Sequence, residues 1–335
     1  MQAYELRDKT GLDALTLTER KDPVPGPEEV LIQMRAAALN YRDLLVMKGL
    51  YSTEMRLPLI PVSDGVGNVI AVGEKVTRVK PGDRVAGIFD PNWLSGEAPG
   101  APMGLGGPGM DGVLAQEVVL PQDGVVHVPE HLTDEEAATL PCAAVTAWSA
   151  LMVRGTLKPG ETVLVQGTGG VSLFALQFAH MAGARVIVTS SSDEKLERAR
   201  HLGAGETINY QRTPDWDQEV LRLTGGKGVD HVVEVGGPAT LARSLNAVRI
   251  GGQISQIGVL SGFSVEIPIY QILRKQIRIQ GIAIGSRWAF EQMNNAIDLH
   301  KLKPVIDRVF PFEQAPEAFR YLEKGGHVGK ICIRF

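Results

Sequence analysis

Residues 162–181 have the sequence TVLVQGTGGVSLFALQFAHM, and this stretch decides the fold. Its first five residues form an apolar, β-branched run that is typical of a strand buried in a parallel sheet. The glycines that follow (Gly167, Gly169 and Gly170) allow a sharp turn, and apolar residues then recur at helical spacing. The start of such a helix offers free N–H groups and a positive dipole end to phosphates. The stretch therefore predicts a strand, turn and helix that bind a dinucleotide.

The surroundings of this turn make the prediction more specific than a lone glycine motif. A second apolar run, RVIVT at residues 185–189, follows at the distance that a βαβ unit needs. Ser172 stands where the usual fingerprint has its third glycine, and a serine is small enough to fit there. A simple glycine turn, which is the alternative, would not need the second strand. We therefore favour dinucleotide binding.

The pattern along the chain predicts two domains. Strands and helices alternate to about residue 300, which indicates six strands with crossover helices in a doubly wound parallel sheet. Short strands and turns dominate the residues before about 125 and return at the C-terminal end. The sequence thus predicts an α/β protein in which a Rossmann domain spans residues 126–300. Residues 1–125 and 301–335 together would form a second, β-rich domain.

Composition excludes several classes of function. The chain has 335 residues, 44% of them apolar, with a net charge of −4, which is ordinary for a soluble globular protein and argues against a nucleic-acid partner. No apolar run reaches membrane-spanning length, and the first residues lack a signal-peptide pattern. The only cysteines, Cys142 and Cys332, cannot build a disulfide framework. We expect a cytoplasmic protein without a membrane partner.

Several motifs together resemble the medium-chain dehydrogenase/reductase superfamily from end to end. They are the segments Asn40–Asp43 (NYRD), Asp64–Val69 (DGVGNV), Lys80–Val85 (KPGDRV), Leu157–Glu161 (LKPGE) with the glycine-rich turn, and Gly329–Lys330. Each motif alone is weak, but their order along the chain is specific. The resemblance implies a GroES-like catalytic domain, a Rossmann domain and usually a homodimer. The stretch from Ser264 to Arg278 could offer the edge strand for that dimer, or it could be a covered edge in a monomer.

The resemblance also raises the question of a catalytic zinc ion. Zinc alcohol dehydrogenases have cysteine where this chain has Asn40, and His-Glu where it has Ser63 and Asp64. Their last catalytic ligand corresponds to Cys142, but a catalytic zinc needs three protein ligands and an open position. The lobe at residues 93–111, where a structural zinc would be expected, contains no cysteine. The chain therefore resembles the zinc-free quinone oxidoreductases and enone reductases, and we predict no metal site.

The cofactor choice depends on the end of the second strand. An enzyme that uses NAD usually has Asp or Glu there to bind the ribose hydroxyls. This chain has Thr189, Ser190, Ser191 and Ser192, followed by Asp193 as a candidate helix cap. Hydroxyls and the nearby Lys195 suit a 2′-phosphate, which indicates NADP(H). Lys195 as an ordinary solvated helix residue remains an alternative.

By resemblance, two groups of residues carry the function. Those predicted to bind the cofactor are Thr146, Gly167, Thr168, Gly169, Gly170, Val171, Ser190, Ser191, Lys195, Tyr210, Gly258 and Lys330. Asn40, Tyr41, Tyr51 and Asp64 are the predicted catalytic residues, with Tyr51 as a proton donor. Turn formation by Asn40, packing by the tyrosines and a structural role for Asp64 are the competing interpretations. Arg287 could face the cleft or the solvent.

These observations predict an NADPH-dependent oxidoreductase that reduces quinones or α,β-unsaturated carbonyls by hydride transfer without zinc. An alcohol or aldehyde dehydrogenase of the same superfamily is one alternative. A non-catalytic NADPH-binding sensor is another. The glycine- and proline-rich stretch at residues 91–112 could be a surface loop or a lid, and the sequence does not identify the substrate.

Overall fold

The computed structural model describes residues 1–53, 55–101 and 104–335, which divide into two compact units. Unit 1 comprises Met1–Val145 with Ile284–Phe335, and unit 2 comprises Thr146–Ala283. The strands are β1 (Gln2–Leu6), β2 (Leu15–Glu19), β3 (Glu29–Leu39), β4 (Asp64–Val72), β5 (Arg84–Gly87), β6 (Glu117–Pro121), β7 (Val125–His127), β8 (Thr162–Gln166), β9 (Arg185–Ser190), β10 (Glu206–Asn209), β11 (Val229–Glu234), β12 (Val248–Gln256), β13 (Arg278–Gly281), β14 (Ile306–Pro311) and β15 (Lys330–Arg334). The α-helices are α1 (Tyr41–Met47), α2 (Asp134–Ala138), α3 (Val145–Trp148), α4 (Gly170–Met181), α5 (Asp193–His201), α6 (Trp216–Leu223), α7 (Pro238–Ala247), α8 (Ile269–Lys275), α9 (Arg287–His300) and α10 (Ala315–Lys324). No helix in these described ranges is long and apolar enough to cross a membrane.

Unit 2 is built on a parallel sheet in the order β10-β9-β8-β11-β12-β13. All of its strand pairs are parallel, and β8 lies at the centre because the chain winds first to one side of it and then to the other. The loops that follow the carboxyl ends of β8, β9, β11 and β12 therefore lie at one edge, where doubly wound sheets bind their ligands. The predicted fold class is confirmed.

Unit 1 is a mostly antiparallel sheet in the order β14-β15-β3-β4-β5-β7, with β6 also paired to β3. The long strand β3 alternates buried and exposed side chains, as its sequence predicts, and α10 packs apolar residues such as Phe319 into the core. Because β3 runs antiparallel to both β4 and β15, its carboxyl end lies beside their first residues. Leu39 pairs with Ile331, and Ala38 pairs with Asp64.

Helix α2 begins after a capping box in which Thr133 is the N-cap. The Glu136 N–H donates to Thr133 Oγ1 at 3.2 Å, and the Thr133 N–H donates to Glu136 Oε2 at 2.8 Å. Beyond α2 the helix widens into a π-helical segment at Leu140–Ala144. Such segments leave backbone groups free for other partners and often occur at functional sites.

Two details of the chain differ from the sequence analysis. The units divide at residues 145/146 and 283/284, where the sequence predicts boundaries at 125/126 and 300/301. Helix α9 belongs to unit 1 because Arg287 Nη1 donates to Asp123 Oδ1 at 2.6 Å and Asn294 Nδ2 donates to the His127 carbonyl at 2.9 Å. The stretch Ser264–Arg278, which could have offered an edge strand, contains α8 instead. The edge strand is β13, which starts at Arg278.

Candidate functional site

The turn between β8 and α4 has the geometry of a phosphate cradle. Gly167 has φ +72°, a conformation that favours glycine, and a Cβ added at Gly169 would meet no protein atom within 4 Å. Ser172 fits in place of the third glycine because its Oγ donates to the Gln166 carbonyl at 2.7 Å. The cradle is thus open on the side that Gly169 faces, and α4 begins immediately behind it. These residues fit a dinucleotide phosphate.

The end of β9 carries the residues predicted to select the cofactor. Ser190 is buried, with its Oγ 3.4 Å from Thr168 Oγ1, and the Tyr210 N–H donates to the Ser190 carbonyl at 3.1 Å. Tyr210 is 38% exposed. The Lys195 ammonium has no hydrogen-bond or ion-pair partner among the described residues, although the side chain is half-buried. A cation without a partner at this position suits an anionic ligand.

Asp193 does not cap α5, so that prediction was wrong. Ser192 is the N-cap, and its hydroxyl accepts from the Lys195 N–H at 3.2 Å. The Asp193 carboxylate instead accepts from Asn209 Nδ2 at 2.7 Å and forms an ion pair with Arg212. Its charge is therefore compensated within unit 2.

Behind the loops of this sheet edge lies a buried carboxylate that the sequence analysis missed. Glu234, the last residue of β11, accepts hydrogen bonds from Gln166, Thr240 and Ser244 and from the backbone N–H groups of Gly236 and Gly237. A glutamate within the apolar run DHVVEV was the available signal. The neighbouring Gly258 packs so closely that a Cβ would lie 2.1 Å from the Val235 carbonyl oxygen. Close packing thus accounts for Gly258, and its role in cofactor binding remains a prediction.

Unit 1 contains a second polar cluster, assembled where β3, β4 and β15 meet. Asn40 follows β3 and caps α1, Asp64 begins β4, and Lys330 begins β15. The antiparallel pairing described above brings these three residues together from distant parts of the sequence. Each is buried, with Asn40 8% and Lys330 3% exposed.

Hydrogen bonds fix the cluster. The Lys330 ammonium donates to the Leu39 carbonyl at 2.6 Å and to Asn40 Oδ1 at 2.5 Å. The Asp64 carboxylate accepts from Ser63 Oγ at 2.7 Å and from the Cys142 N–H, in the π-helical segment, at 3.0 Å. The cluster therefore holds a positive and a negative charge with little access to water.

Burial raises the pKa of Asp64 to about 6. The positive charge of Lys330 and the hydrogen-bonding groups of Asn40 and Ser63 oppose this rise, whereas the nearby Asp43 adds to it. Desolvation and the Asp64 charge also raise the pKa of the Cys142 thiol. The thiol is therefore a poor metal ligand, because metals bind the thiolate.

Arg42 links the NYRD motif to its surroundings, a role that the sequence analysis missed. Its Nη1 donates to the Leu105 carbonyl at 2.8 Å and to Asp43 Oδ1 at 3.1 Å, while Asp43 Oδ2 accepts from the Asn40 N–H at 2.8 Å. The guanidinium also lies 4.4 Å from the centre of the Tyr51 ring. The motif thus orders α1 and the segment at Leu105, and the arginine within it was the available signal.

The remaining predicted residues have the following positions. Tyr41 is 42% exposed on α1, and Thr146 is buried at the start of unit 2. Arg287 is paired with Asp123 in unit 1. In the loop at residues 91–112, Trp93 and Leu105 are buried, which favours a packed loop over a lid, while Pro102 and Met103 lie outside the described residues.

A zinc ion does not fit the unit 1 cluster. The residues at the positions equivalent to zinc ligands offer an amide oxygen already bound to an ammonium, a hydroxyl, a carboxylate and a thiol with a raised pKa. No group of three or more His, Cys, Asp or Glu side chains in the described chain could hold a metal ion. The Lys330 charge would in addition repel a dication.

Comparison with known proteins agrees with both units. Residues 26–130 match the alcohol dehydrogenase GroES-like domain, and residues 170–301 match the zinc-binding dehydrogenase family. The chain is 46% identical, over 99% of its length and 98% of the relative's, to the zinc-type alcohol dehydrogenase-like protein C1773.06c of Schizosaccharomyces pombe.

Two solved structures extend the comparison. One, assigned as an alcohol dehydrogenase from Sinorhizobium meliloti 1021, has a TM-score of 0.94 and 46% identity over 100% of this chain and 98% of that one. A quinone oxidoreductase from Pseudomonas syringae pv. Tomato DC3000 has a TM-score of 0.85 and 29% identity over 100% and 99% of the two chains.

The fold, the phosphate cradle and these similarities define an oxidoreductase that uses a nicotinamide cofactor. The chain belongs to the medium-chain dehydrogenase/reductase superfamily, as its motifs predicted.

Proposed function

We propose that the protein is a zinc-independent, NADPH-dependent reductase of quinones or α,β-unsaturated carbonyl compounds. The observation that carries the proposal is the Lys330 ammonium bound to Asn40 at a position equivalent to a zinc ligand. A protein of this superfamily that lacks the metal must polarise its substrate with hydrogen-bond donors. Such donors are weaker than a Lewis acid, which favours acceptors that are already activated.

The proposed chemistry assigns a role to each group of residues. NADPH, when bound, supplies the hydride that the electrophilic carbon of the acceptor takes up. Negative charge then develops on the carbonyl oxygen, where donors from Asn40, Tyr41 or Tyr51 would stabilise it. Asp64 is fully buried within this cluster, and its carboxylate accepts from Ser63 Oγ and the Cys142 N–H, which supports a structural role for it.

The preference for NADPH rests on the charges at the end of β9. Lys195 offers a cation without a partner, Ser190 and Ser191 offer hydroxyls, and the charge of Asp193 is compensated by Arg212. These groups would hold the 2′-phosphate of the adenosine, which NADH lacks. The phosphate cradle at Gly167–Val171 would bind the pyrophosphate of either cofactor.

The test is cofactor oxidation with a quinone, an enone, an enal and an aldehyde, each with NADPH and NADH and with and without a chelator, together with metal analysis of the purified protein. Turnover that prefers NADPH and survives chelation supports the proposal. Loss of activity on chelation, with stoichiometric zinc in the protein, contradicts it.

Alcohol oxidation is the second candidate, because the S. pombe relative is described as alcohol dehydrogenase-like and the S. meliloti structure is assigned as an alcohol dehydrogenase. Primary and secondary alcohols tested with NAD and NADP distinguish it from the first. Cofactor binding without turnover of any substrate in either panel would instead favour a non-catalytic NADPH-binding sensor.

We also propose that the protein is a cytoplasmic homodimer. Every residue of the edge strand β13 is exposed in the single chain, and strongly exposed apolar side chains lie nearby in the sequence, among them Phe263, Tyr270 and Leu273. A second copy that pairs along β13 would cover both features. The two cysteines are free thiols, which fits a reducing compartment.

A further inference from the structure

The Asn40 side chain has one end bound and the other end without a partner. An ammonium group only donates hydrogen bonds, so the atom that Lys330 contacts must be the carboxamide oxygen. This fixes the orientation of the amide, which the electron density of a carboxamide would usually not decide. Asn40 Nδ2 then points away from Lys330.

Asn40 Nδ2 is a buried donor without a hydrogen-bond partner among the described residues. Asn40 lowers the pKa of Asp64 as a hydrogen-bonding neighbour does, so the amide lies near that carboxylate, but Nδ2 makes no hydrogen bond to it within the usual limits of distance and angle. A buried donor that makes no hydrogen bond destabilises the folded protein. A buried donor of this kind calls for a partner, which an ordered water, an ion or a bound ligand can supply.

We propose that Lys330 is a positioning residue that holds the Asn40 carboxamide so that Nδ2 donates to the carbonyl oxygen of the substrate. The inference rests on the proposed function and deepens it. The Leu39 carbonyl fixes the ammonium from a second side, so the lysine cannot follow Asn40 if the amide rotates. In this arrangement the lysine orients the group that polarises the substrate, a role that differs from the cofactor binding that the resemblance implied for Lys330.

The first test compares Lys330→Met, which keeps the length of the side chain but removes the charge, with the wild-type protein. We expect kcat for an enone to fall at least tenfold, with less than a threefold change in the Kd of NADPH. Lys330→Arg should recover part of kcat, because a guanidinium can also donate to Oδ1. A Kd for NADPH that rises tenfold with kcat unchanged would instead make Lys330 a cofactor-binding residue and overturn the inference.

The second test uses Asn40→Asp, which remains informative if Lys330→Met fails to fold. Aspartate keeps an oxygen for Lys330 but replaces the Nδ2 donor with an acceptor. We expect a folded protein with at least a tenfold lower kcat. Unchanged kcat, or a fall in thermal stability alone, would assign Nδ2 to the protein interior and contradict the inference.

A double variant shows whether Lys330 acts through Asn40 or whether the two residues act independently. If Lys330 acts through Asn40, then Lys330→Met should lower kcat little further in an Asn40→Ala background, whereas independent roles would give multiplied losses. The activity of the wild-type enzyme alone tests the proposed function. If the wild type reduces no carbonyl acceptor, the proposed function fails. If it does and the variants match it, only the positioning role fails.

Discussion

At the scale of single residues, hydrogen-bond donors without a partner in the protein carry most of the functional information. Lys195 and Asn40 Nδ2 are both half-buried or buried, and neither has a hydrogen-bond partner for its donor group. By contrast, Asp193 is paired with Arg212, and Arg287 is paired with Asp123. Donors without a partner are where a ligand gains most on binding.

Replacing Lys195 by methionine should weaken NADPH selectively. A hydrogen bond to a charged group contributes about 1.5–3 kcal/mol, so the KM for NADPH should rise roughly tenfold to a hundredfold. The KM for NADH should change little, because NADH has no 2′-phosphate. Steady-state kinetics with both cofactors measure this, and Lys227→Met, an exposed lysine of the same unit, is the matched control. Equal losses for both cofactors would contradict the assignment.

The buried carboxyl of Asp64 predicts a specific pH dependence of stability. Its pKa rises on folding from 3.8 to about 6, so its contribution to stability is fully present below about pH 4 and is lost as the pH rises through 6. The complete loss amounts to about 3 kcal/mol at most. The variant Asp64→Asn should therefore gain stability relative to the wild type between pH 4 and pH 7.

Urea unfolding of both proteins across this pH range measures the difference directly. Other carboxyl groups titrate in the same range, but they are common to the two proteins and cancel in the comparison. A difference in the free energy of unfolding that does not change with pH would show that Asp64 titrates normally in the folded protein.

At the scale of elements, the turn before α4 is the part of the fold most directly shaped for a ligand. Gly169 has φ −78°, which any residue can adopt, and an added Cβ would meet no protein atom within 4 Å. Its identity is therefore not required by the fold. On our proposal, a phosphate that approaches the backbone closely is the reason for a glycine here.

We expect Gly169→Ala to leave the melting temperature of the free protein within about 2 °C of the wild type, since no contact is made or lost. The Kd of NADPH should rise at least tenfold because the methyl group occupies the cradle. Calorimetry and fluorescence titration check the two parts, with Gly100→Ala, another open glycine, as the control. Unchanged affinity would place the pyrophosphate elsewhere.

The helices and strands were largely predictable from the sequence, but the buried polar clusters that join distant strands were not. Strand β8, helix α9 and the capping box at Thr133 follow from local periodicity and local hydrogen bonds, which short windows of sequence contain. The contact between Lys330 and Asn40 depends on the register between β3 and β15, which no local pattern specifies. Packing between distant segments also decides the structure of Ile269–Lys275. This segment has β-branched residues yet forms a helix that packs on β12.

At the scale of the whole molecule, the exposed edge of unit 2 predicts the oligomeric state. If β13 pairs with a second copy, Leu273→Glu and Tyr270→Glu should weaken the dimer, because each buries a charge against an apolar surface. Light scattering coupled to gel filtration should give a mass near 72 kDa for the wild type, roughly twice the 36.1 kDa chain, and a lower mass for the variants. The exposed Ile250→Glu serves as the control. A wild-type mass of one chain would contradict the proposal.

The hydrogen bond from the Lys330 ammonium to Asn40 also has an evolutionary consequence. A single mutation that restored cysteine at Asn40 or histidine at Ser63 would place a new ligand beside a resident positive charge, where a metal gains little. Losing the lysine first would, on our proposal, disorient Asn40 and lower activity before any metal could compensate. Both orders of change pass through a less fit intermediate. On our proposal, the order in which substitutions can accumulate would therefore keep descendants of this protein to metal-free chemistry.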